Sequence, residues 1–409
     1  MLNTFSQFLP SRIYASYDVE TKAPLEAALE TMAGEQSSGT FLALPGETPE
    51  LKARYGARVE RIDRTSESAA ATVLSWPIEN MGPSLPNLLS TVAGNLFELK
   101  QFSTLRLTGL HLPDEFRAAY PGPQFGVAGT RRLTGIANGP ILGTIIKPSV
   151  GLSPRETAAL VQQLVDGGID FIKDDELQAD GPHCPFAQRV EAVMAVINSH
   201  AERAGRKVMF AFNLTGEIDE MLRRHDIVEQ AGGTCVMVSI NSVGLSGVTY
   251  LRRHCRLPIH AHRNGWGLYS RSPHIGISYL AYQKLWRLAG VDQMHVNGLR
   301  NKFCESDASV LASARECMTP MFNGANRGCE VMPVFSSGQT VRQVQDTWNA
   351  LSTADLIYAA GGGLMAHPAG VAAGVRAMRQ AWQSAMEGVD LQTAASAHVE
   401  LRQALEKYA

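Results

Sequence analysis

Apolar positions in the C-terminal two-thirds of the chain recur with a regular beat. From Gly139 onward, short apolar runs cover residues 141–148, 170–176, 208–214, 235–240, 258–263, 293–298, 331–338 and 356–363. Amphipathic segments separate them, among them 155–166, 186–203, 218–231, 275–289 and 341–351, with apolar residues at helical spacing. Eight strand-like runs alternating with helices over ~270 residues match the size of a (β/α)8 barrel. The runs are nearly continuous in their hydrophobicity, as expected of parallel strands buried on both faces. An open doubly wound sheet is the alternative, but no GxGxxG follows a first strand. The N-terminal part lacks the alternation. Helix-like stretches at 24–33 and 88–100 mix there with strand-like runs such as 105–111, which suggests a separate α+β domain. The expected division is 1–135 and 136–409.

Composition adds limits. The 409 residues are 45% hydrophobic and 19% charged, a globular balance with enough chain for two cores. The formal net charge is -2 and no basic run of five or more occurs, so nucleic acid is not an expected partner. A small anionic substrate would be held by a few local cations rather than by a global field. Apolar runs such as LIYAA, from Leu356, fall far below the ~18 residues of a membrane span. No basic segment followed by a long apolar one opens the chain, so neither a membrane nor export is expected. The six cysteines, at 184, 235, 255, 304, 317 and 329, form no CxxC pair and read as reduced thiols of a cytoplasmic protein.

Polar residues gather at the ends of the runs, which in a barrel face the active site. The second run closes with Lys173, Asp174, Asp175 and Glu176. Strand alternation puts Lys173 and Asp175 on one face, with Glu176 at the turn. Three adjacent carboxylates repel unless a cation neutralises them, and Mg²⁺ suits hard oxygen donors. A plain lysine–carboxylate salt bridge is an equally open reading. Lys147 ends the first run; beside a metal it suits proton transfer, and otherwise it is a snorkelling surface lysine. The fifth run ends His260-Ala261-His262-Arg263, with two histidines on one face and an arginine able to fork onto a phosphate. These histidines, and His295 on the sixth run, read as hydrogen-bonding groups or as satisfied core residues. The last two runs end in Ser336-Ser337-Gly338 and Gly361-Gly362-Gly363, each before a helix-like segment. In barrels these two loops commonly bind phosphate through backbone N–H groups, and glycine lets the backbone approach the anion. A tight turn is the plain alternative for the glycine run; its pairing with the serine–glycine loop favours phosphate.

GTIIKPSVGLS from Gly143, GGIDFIKDDE from Gly167, HAHR from His260, MH from Met294, PVFSSG from Pro333 and GGGLMAHP from Gly361 resemble, in order and spacing, the large subunit of ribulose-bisphosphate carboxylase/oxygenase (RuBisCO). EQSSGT from Glu35 and GNLF from Gly94 resemble the two N-domain active-site segments of that family, so the resemblance covers nearly the whole chain. It implies an α/β fold: a C-terminal (β/α)8 TIM barrel preceded by an α+β ferredoxin-like N-terminal domain. It implies that Lys173 is carbamylated by CO2, and that the carbamate, Asp175 and Glu176 bind Mg²⁺. Lys147 would be the general acid/base near an enolate, and His262 would contact substrate hydroxyls. Lys302, seven residues after His295, would be a mobile-loop lysine reaching a substrate carboxylate, held by Glu35. Thr40, Gly338, Gly361 and Gly362 would bind one phosphate, with Ser337 in the same loop. Arg263, His295 and Ser336 would line a second anion site, and Asn95 would complete the metal-side contacts. The resemblance also implies a homodimer whose active site is shared, Glu35, Thr40 and Asn95 reaching into the partner's barrel.

The sequence departs from the carboxylases at several of these places. Ser149 replaces a second lysine in the KPK segment, Phe41 an aromatic tryptophan and Ser337 a middle glycine. Trp266 replaces a histidine, and the loop 297–302 reads NGLRNK. Changes around both anion sites argue against a symmetric bisphosphate and for a RuBisCO-like, non-CO2-fixing protein (form IV). Members of that class share enolate formation. The retained Lys302, Glu35 and Lys147 suggest a substrate carboxylate. The expected activity is therefore decarboxylation or C–C hydrolysis of a phosphorylated 3-oxo sugar acid, such as 3-oxo-isoapionate 4-phosphate in apiose breakdown. The alternatives are a methionine-salvage enolase or isomerase of a methylthio-pentulose phosphate, and a non-catalytic binding or regulatory protein.

Overall fold

All eight of the regular apolar runs form strands in the computed structural model, which describes residues 8–39, 44–323 and 328–409. The strands are numbered in chain order, beginning with β1 (Arg12–Thr21), β2 (Arg58–Arg64), β3 (Ala69–Pro77) and β4 (Phe102–His111). Then follow β5 (Ile141–Ile145), β6 (Phe171–Lys173), β7 (Met209–Asn213), β8 (Cys235–Ser239), β9 (Ile259–His262), β10 (Ile275–Ile277), β11 (Gln293–His295), β12 (Met332–Phe335) and β13 (Ile357–Ala359). The chain divides into two compact units: Met1–Gly122 with Gly265–Ala289 and Pro320–Cys329, and Pro123–Asn264 with Gly290–Thr319 and Glu330–Ala409.

The second unit holds a closed barrel in the order β11-β12-β13-β5-β6-β7-β8-β9, all neighbours parallel. Its interior is filled by alternate strand residues: Ile141, Phe171, Met209, Ala211, Cys235, Met237, Met332, Val334, Ile357 and Ala359 are all buried. Strand parity therefore decides which polar residue faces inward at the C-terminal mouth. Phe171 points into the core, so Lys173, two residues on, does the same one layer higher. The opposite end is sealed by buried acids. Asp170 accepts from the Leu142 amide at 2.9 Å, and Asp292 accepts from the Phe125, Gly126 and Ile259 amides and pairs with Arg252 at 2.9 Å. These charges stand at the N-terminal ends of strands, the side of a barrel that serves stability. The helix Pro154–Asp166 begins with a capping box, Ser153 and Glu156 satisfying each other's backbone amides.

The first unit has a five-stranded sheet of order β10-β4-β1-β3-β2, in which β1 to β4 and their helices make a βαββαβ arrangement with β1 antiparallel to both its neighbours. That is the expected ferredoxin-like arrangement. Its helix Leu85–Ala93 is capped by Ser84, and Tyr17 of β1 donates its hydroxyl to the Val92 carbonyl at 2.7 Å. Two expectations fail here. The stretch 88–100 is not one helix: it breaks at Gly94, where a Cβ would lie 2.1 Å from the Ser90 carbonyl oxygen, and continues only as the short turn Asn95–Glu98. Nor is 275–289 helical throughout. Ile275–Ile277 is extended and pairs in parallel with β4 (Ile275 opposite Leu105), and the helix runs only over Tyr279–Ala289. Two β-branched residues about a glycine favour strand, and a sheet edge far away in sequence supplies the ladder.

Candidate active site

Lys173 is the residue on which the site is built. Its side chain is wholly buried, its Nζ lies 3.5 Å from Glu176 Oε2, and it makes no hydrogen bond among the described residues. Burial drives its pKa down more strongly than Glu176, Asp175 and Asp174 drive it up. Asp175 is just as buried, and its Oδ2 accepts from Lys147 Nζ at 2.5 Å while Oδ1 accepts from the Leu177 amide at 3.1 Å. Burial opposes ionisation of this carboxyl, but the Lys147 and Leu177 hydrogen bonds outweigh it and hold the pKa below its ordinary value. Glu176 is partly exposed and also lies 3.4 Å from His262 Nε2. Lys147, half-exposed, makes a second bond to Ser149 Oγ at 2.9 Å, so the serine that replaces a lysine supports the remaining one.

The third acid of the run does something else. Asp174 points away from this group and is paired with the fully buried Arg189, whose Nη2 lies 3.2 Å from Oδ2. The same oxygen accepts from the Asn213 amide at 2.9 Å. Its repulsion with its neighbours is thus relieved by arginine and not by a metal, and only two carboxylates of the run face Lys173. Arg189 also donates to the carbonyls of Cys184 (3.1 Å) and Ala179 (2.7 Å), fastening the loop that follows the acids. Asn213, at the end of β7, reaches the carbonyl of Glu176 at 3.2 Å. Sequence reasoning missed both residues; the polar end of β7 was the one available signal for Asn213.

His262 accepts from the Asn264 amide through Nδ1 at 3.3 Å, which leaves the proton on Nε2, facing Glu176. Burial, reinforced by the Lys173 charge, takes its pKa down to about 3, so the ring is neutral at pH 7. A chain of hydrogen bonds fixes the other two rings. His260 Nδ1 donates to Gln293 Oε1 at 2.9 Å, leaving Nε2 to accept from His295 Nε2 at 2.8 Å. His295 Nδ1 then accepts from Ser336 Oγ at 2.8 Å. Burial holds both pKa values well below the ordinary histidine range.

The serine–glycine and glycine runs form the loops after β12 and β13. Ser337 and Gly338 have φ of 71° and 89°, and the Lys302 amide donates to the Ser337 carbonyl at 3.1 Å. A Cβ on Gly361 would lie 4.0 Å from Lys147 Cε, which places this glycine beside the Lys147 side chain. Gly362 opens the short helix Gly362–Met365. Gly363 serves packing: a Cβ there would meet the Gln339 carbonyl oxygen at 2.0 Å. Arg263, at the end of β9, donates from Nη2 to Glu305 Oε2 at 2.8 Å, and Glu305 was not anticipated. Lys302 is exposed, its Nζ 5.2 Å from the Phe303 ring centre. In the first unit, Glu35 ends the helix Leu25–Glu35 and Asn95 follows the Gly94 break; both are exposed. Thr40 and Phe41 lie outside the described residues. Trp266 is buried against Tyr282, with ring centres 4.5 Å apart.

Among the described residues one other group has metal-ligand character, His225, Asp226 and His254. His225 Nε2 accepts from the Arg256 amide at 3.2 Å, so Nδ1 carries the proton and donates to Asp226 at 3.0 Å. The ring has no lone pair left to offer, and the group reads as a hydrogen-bonded link between two helices.

Comparison with known proteins agrees with this geometry. Residues 126–408 match the family model for the ribulose bisphosphate carboxylase large chain, catalytic domain, and residues 11–116 that for its N-terminal domain. The chain is 57% identical to a 3-oxo-isoapionate-4-phosphate transcarboxylase/hydrolase of Xanthobacter autotrophicus, over 97% of this chain and 99% of that one. It is 43% identical to a 3-oxo-isoapionate-4-phosphate decarboxylase of Rhizobium etli, covering 97% and 98%. A solved RuBisCO-like protein from Burkholderia fungorum superimposes with a TM-score of 0.89 at 45% identity, covering 97% of this chain and 99% of that one. Family models spanning both units, on a barrel that buries a lysine between two acids, show that this chain belongs to the ribulose bisphosphate carboxylase large-chain family.

Proposed function

We propose that this chain is an Mg²⁺-dependent enzyme that cleaves a C–C bond of 3-oxo-isoapionate 4-phosphate, by hydrolysis with carboxyl transfer or by decarboxylation. The observation that carries the reading is the wholly buried Lys173 amine, without a hydrogen-bond partner among the described residues, beside Asp175 and Glu176. A buried amine that makes no hydrogen bond, with its one ion-pair contact at 3.5 Å, costs free energy unless it is modified. Addition of CO2 turns it into a carbamate anion, and the carbamate, Asp175 and Glu176 then form the hard oxygen set that Mg²⁺ favours. The bound ion would polarise the substrate's ketone.

The protein's own groups account for the rest. Cleavage next to the ketone leaves an electron pair that is delocalised as an enolate and must take up a proton. Lys147, held by Asp175 and Ser149, is placed to donate it from Nζ. His262, kept neutral, offers Nε2–H to a substrate oxygen. The turn at Ser337–Gly338 and the glycines 361–362 present backbone to the phosphate, and Lys302 would meet the carboxylate. Glu35, Thr40 and Asn95 would act across a homodimer, in the partner's barrel. A methionine-salvage reaction is not favoured, since the relatives described above act on the isoapionate phosphate.

No helix among the described residues is long and apolar enough to cross a membrane. The location we propose, the cytoplasm, rests on the cysteine usage: six thiols, none in a disulfide among the described residues. The test is direct. Purified protein with Mg²⁺ and bicarbonate is given 3-oxo-isoapionate 4-phosphate, with release of CO2 and of cleavage products followed by ¹³C NMR. Turnover is expected from the wild type and none from a folded Lys173→Ala. The assignment fails if the wild type yields neither CO2 nor a cleavage product.

A further inference from the structure

The barrel mouth carries charge in two places, and the structure treats them differently. On one side lie the turn at Ser337–Gly338, after β12, and the glycines after β13, beside the half-exposed Lys147. On the other side lies Arg263 at the end of β9, separated from β13 by β11 and β12 in the barrel order. Arg263 is buried and its guanidinium is already engaged: Nη2 donates to Glu305 Oε2 at 2.8 Å. Glu305 is itself firmly held. Asn297 Nδ2 donates to the same oxygen at 2.7 Å, and Ser309 Oγ donates to Oε1 at 2.8 Å. Asn297 is oriented in turn by Ser337 Oγ, which donates to its Oδ1 at 2.7 Å. The carboxylate is therefore built in by residues from three segments and is not a surface side chain that drifts onto an arginine.

We propose that Glu305 is a specificity-determining residue: by holding Arg263 it supplies, from within the protein, the anion that a second phosphate would otherwise provide, so that the mouth accepts a sugar acid bearing one phosphate and an uncharged polar group at the Arg263 side. The proposal rests on the reading of the barrel mouth as the substrate site. The physical reason is local neutrality. A dianion brought to Arg263 meets a fixed carboxylate on the same guanidinium, and like charges in a site of low dielectric repel strongly. A hydroxyl meets no such opposition and can still accept from the arginine. A carboxylate that served only to tether the loop would show no preference between singly and doubly phosphorylated ligands.

The experiment compares ribulose 5-phosphate with ribulose 1,5-bisphosphate by isothermal titration calorimetry, using the wild type and Glu305→Gln in Mg²⁺ and bicarbonate. Glutamine keeps the size of the side chain and, with its oxygen in place of Oε2, an acceptor for Asn297, while its amide NH2 in place of Oε1 can donate to Ser309 Oγ. The wild type is expected to bind the bisphosphate no more than about threefold more tightly than the monophosphate. Glu305→Gln is expected to gain about tenfold or more for the bisphosphate and to change little for the monophosphate, on the scale of one like-charge contact removed. A wild type that prefers the bisphosphate by more than tenfold overturns the proposal. So does a variant whose bisphosphate affinity is no higher than the wild type's, including the case where neither protein binds it. If circular dichroism shows that the variant does not fold, the wild-type comparison alone decides on the same tenfold limit. Absence of turnover of 3-oxo-isoapionate 4-phosphate with both titrations as stated would sink the reaction and leave this inference standing; turnover with a bisphosphate preference would do the reverse.

Discussion

Replacing Arg189 by methionine should unfold the barrel at a markedly lower temperature while leaving every residue that faces substrate in place. Both partners of the Arg189–Asp174 pair are fully buried, 3.2 Å apart. Removing one partner of such a pair costs about 3–5 kcal/mol, because a carboxylate is left in the interior without its counter-charge. Arg189 also satisfies the carbonyls of Cys184 and Ala179. Each buried carbonyl left without a donor adds about 1 kcal/mol or more. The sum is about 5–7 kcal/mol, against a whole-protein stability of about 5–15 kcal/mol. For a domain of this size each kcal/mol moves the midpoint by about 2–4 °C, so a fall of about 10–28 °C follows. Thermal unfolding by circular dichroism reads it. The double variant Asp174→Asn, Arg189→Met, with no charge left to strand, should recover roughly half of the loss, since the loop carbonyls remain unpaired. A single variant that melts within about 3 °C of the wild type would refute the reasoning, as would a double variant less stable than the single one.

Other outcomes follow from the same geometry. Lys147→Met should lower kcat by about 10²–10⁴-fold, the usual contribution of a positioned proton donor, with carbamate formation retained; steady-state kinetics beside ¹³C detection of the carbamate checks both. The folded-state pKa of His262 is depressed to about 3 from 6.5, so between these values the unfolded chain binds a proton that the native one does not. Stability should therefore be fully present above about pH 6.5 and fall as the pH drops toward 3, with this one ring contributing a slope approaching 1.4 kcal/mol per pH unit. His262→Asn should flatten that slope in urea titrations across the range. Gly363→Ala should lower the melting temperature by several degrees, because its Cβ would sit 2.0 Å from the backbone oxygen of Gln339; a neutral effect in the same melt would contradict the packing role assigned to it.

Much of this could be read in advance, for physical reasons that also mark the limits. Parallel strands buried on both faces must be apolar along their length and can be polar only where they end. The eight runs and their terminal residues Lys147, Lys173, Asp175, Arg263 and His295 therefore stood out without any knowledge of contacts. Other features depended on partners far off in sequence. Ile275–Ile277 is a strand because β4 offers an edge to it, and Asp174 stands apart from the group around Lys173 because Arg189, fifteen residues on, engages it. Glu305 lies 42 residues from Arg263, and nothing local marks it as the acid that engages that arginine. The break of the helix at Gly94 was legible in principle, since the glycine was visible, but apolar periodicity on both sides masked it.

The central claim is that Lys173, once carbamylated, joins Asp175 and Glu176 around a divalent ion. Its most direct test is ¹³C NMR of the protein equilibrated with ¹³C-bicarbonate and Mg²⁺, with excess label removed under Mg²⁺. One carbamate resonance per chain is predicted, lost from Lys173→Ala and from wild type treated with EDTA. A wild type with no such resonance, or one that persists unchanged in Lys173→Ala, would contradict the account.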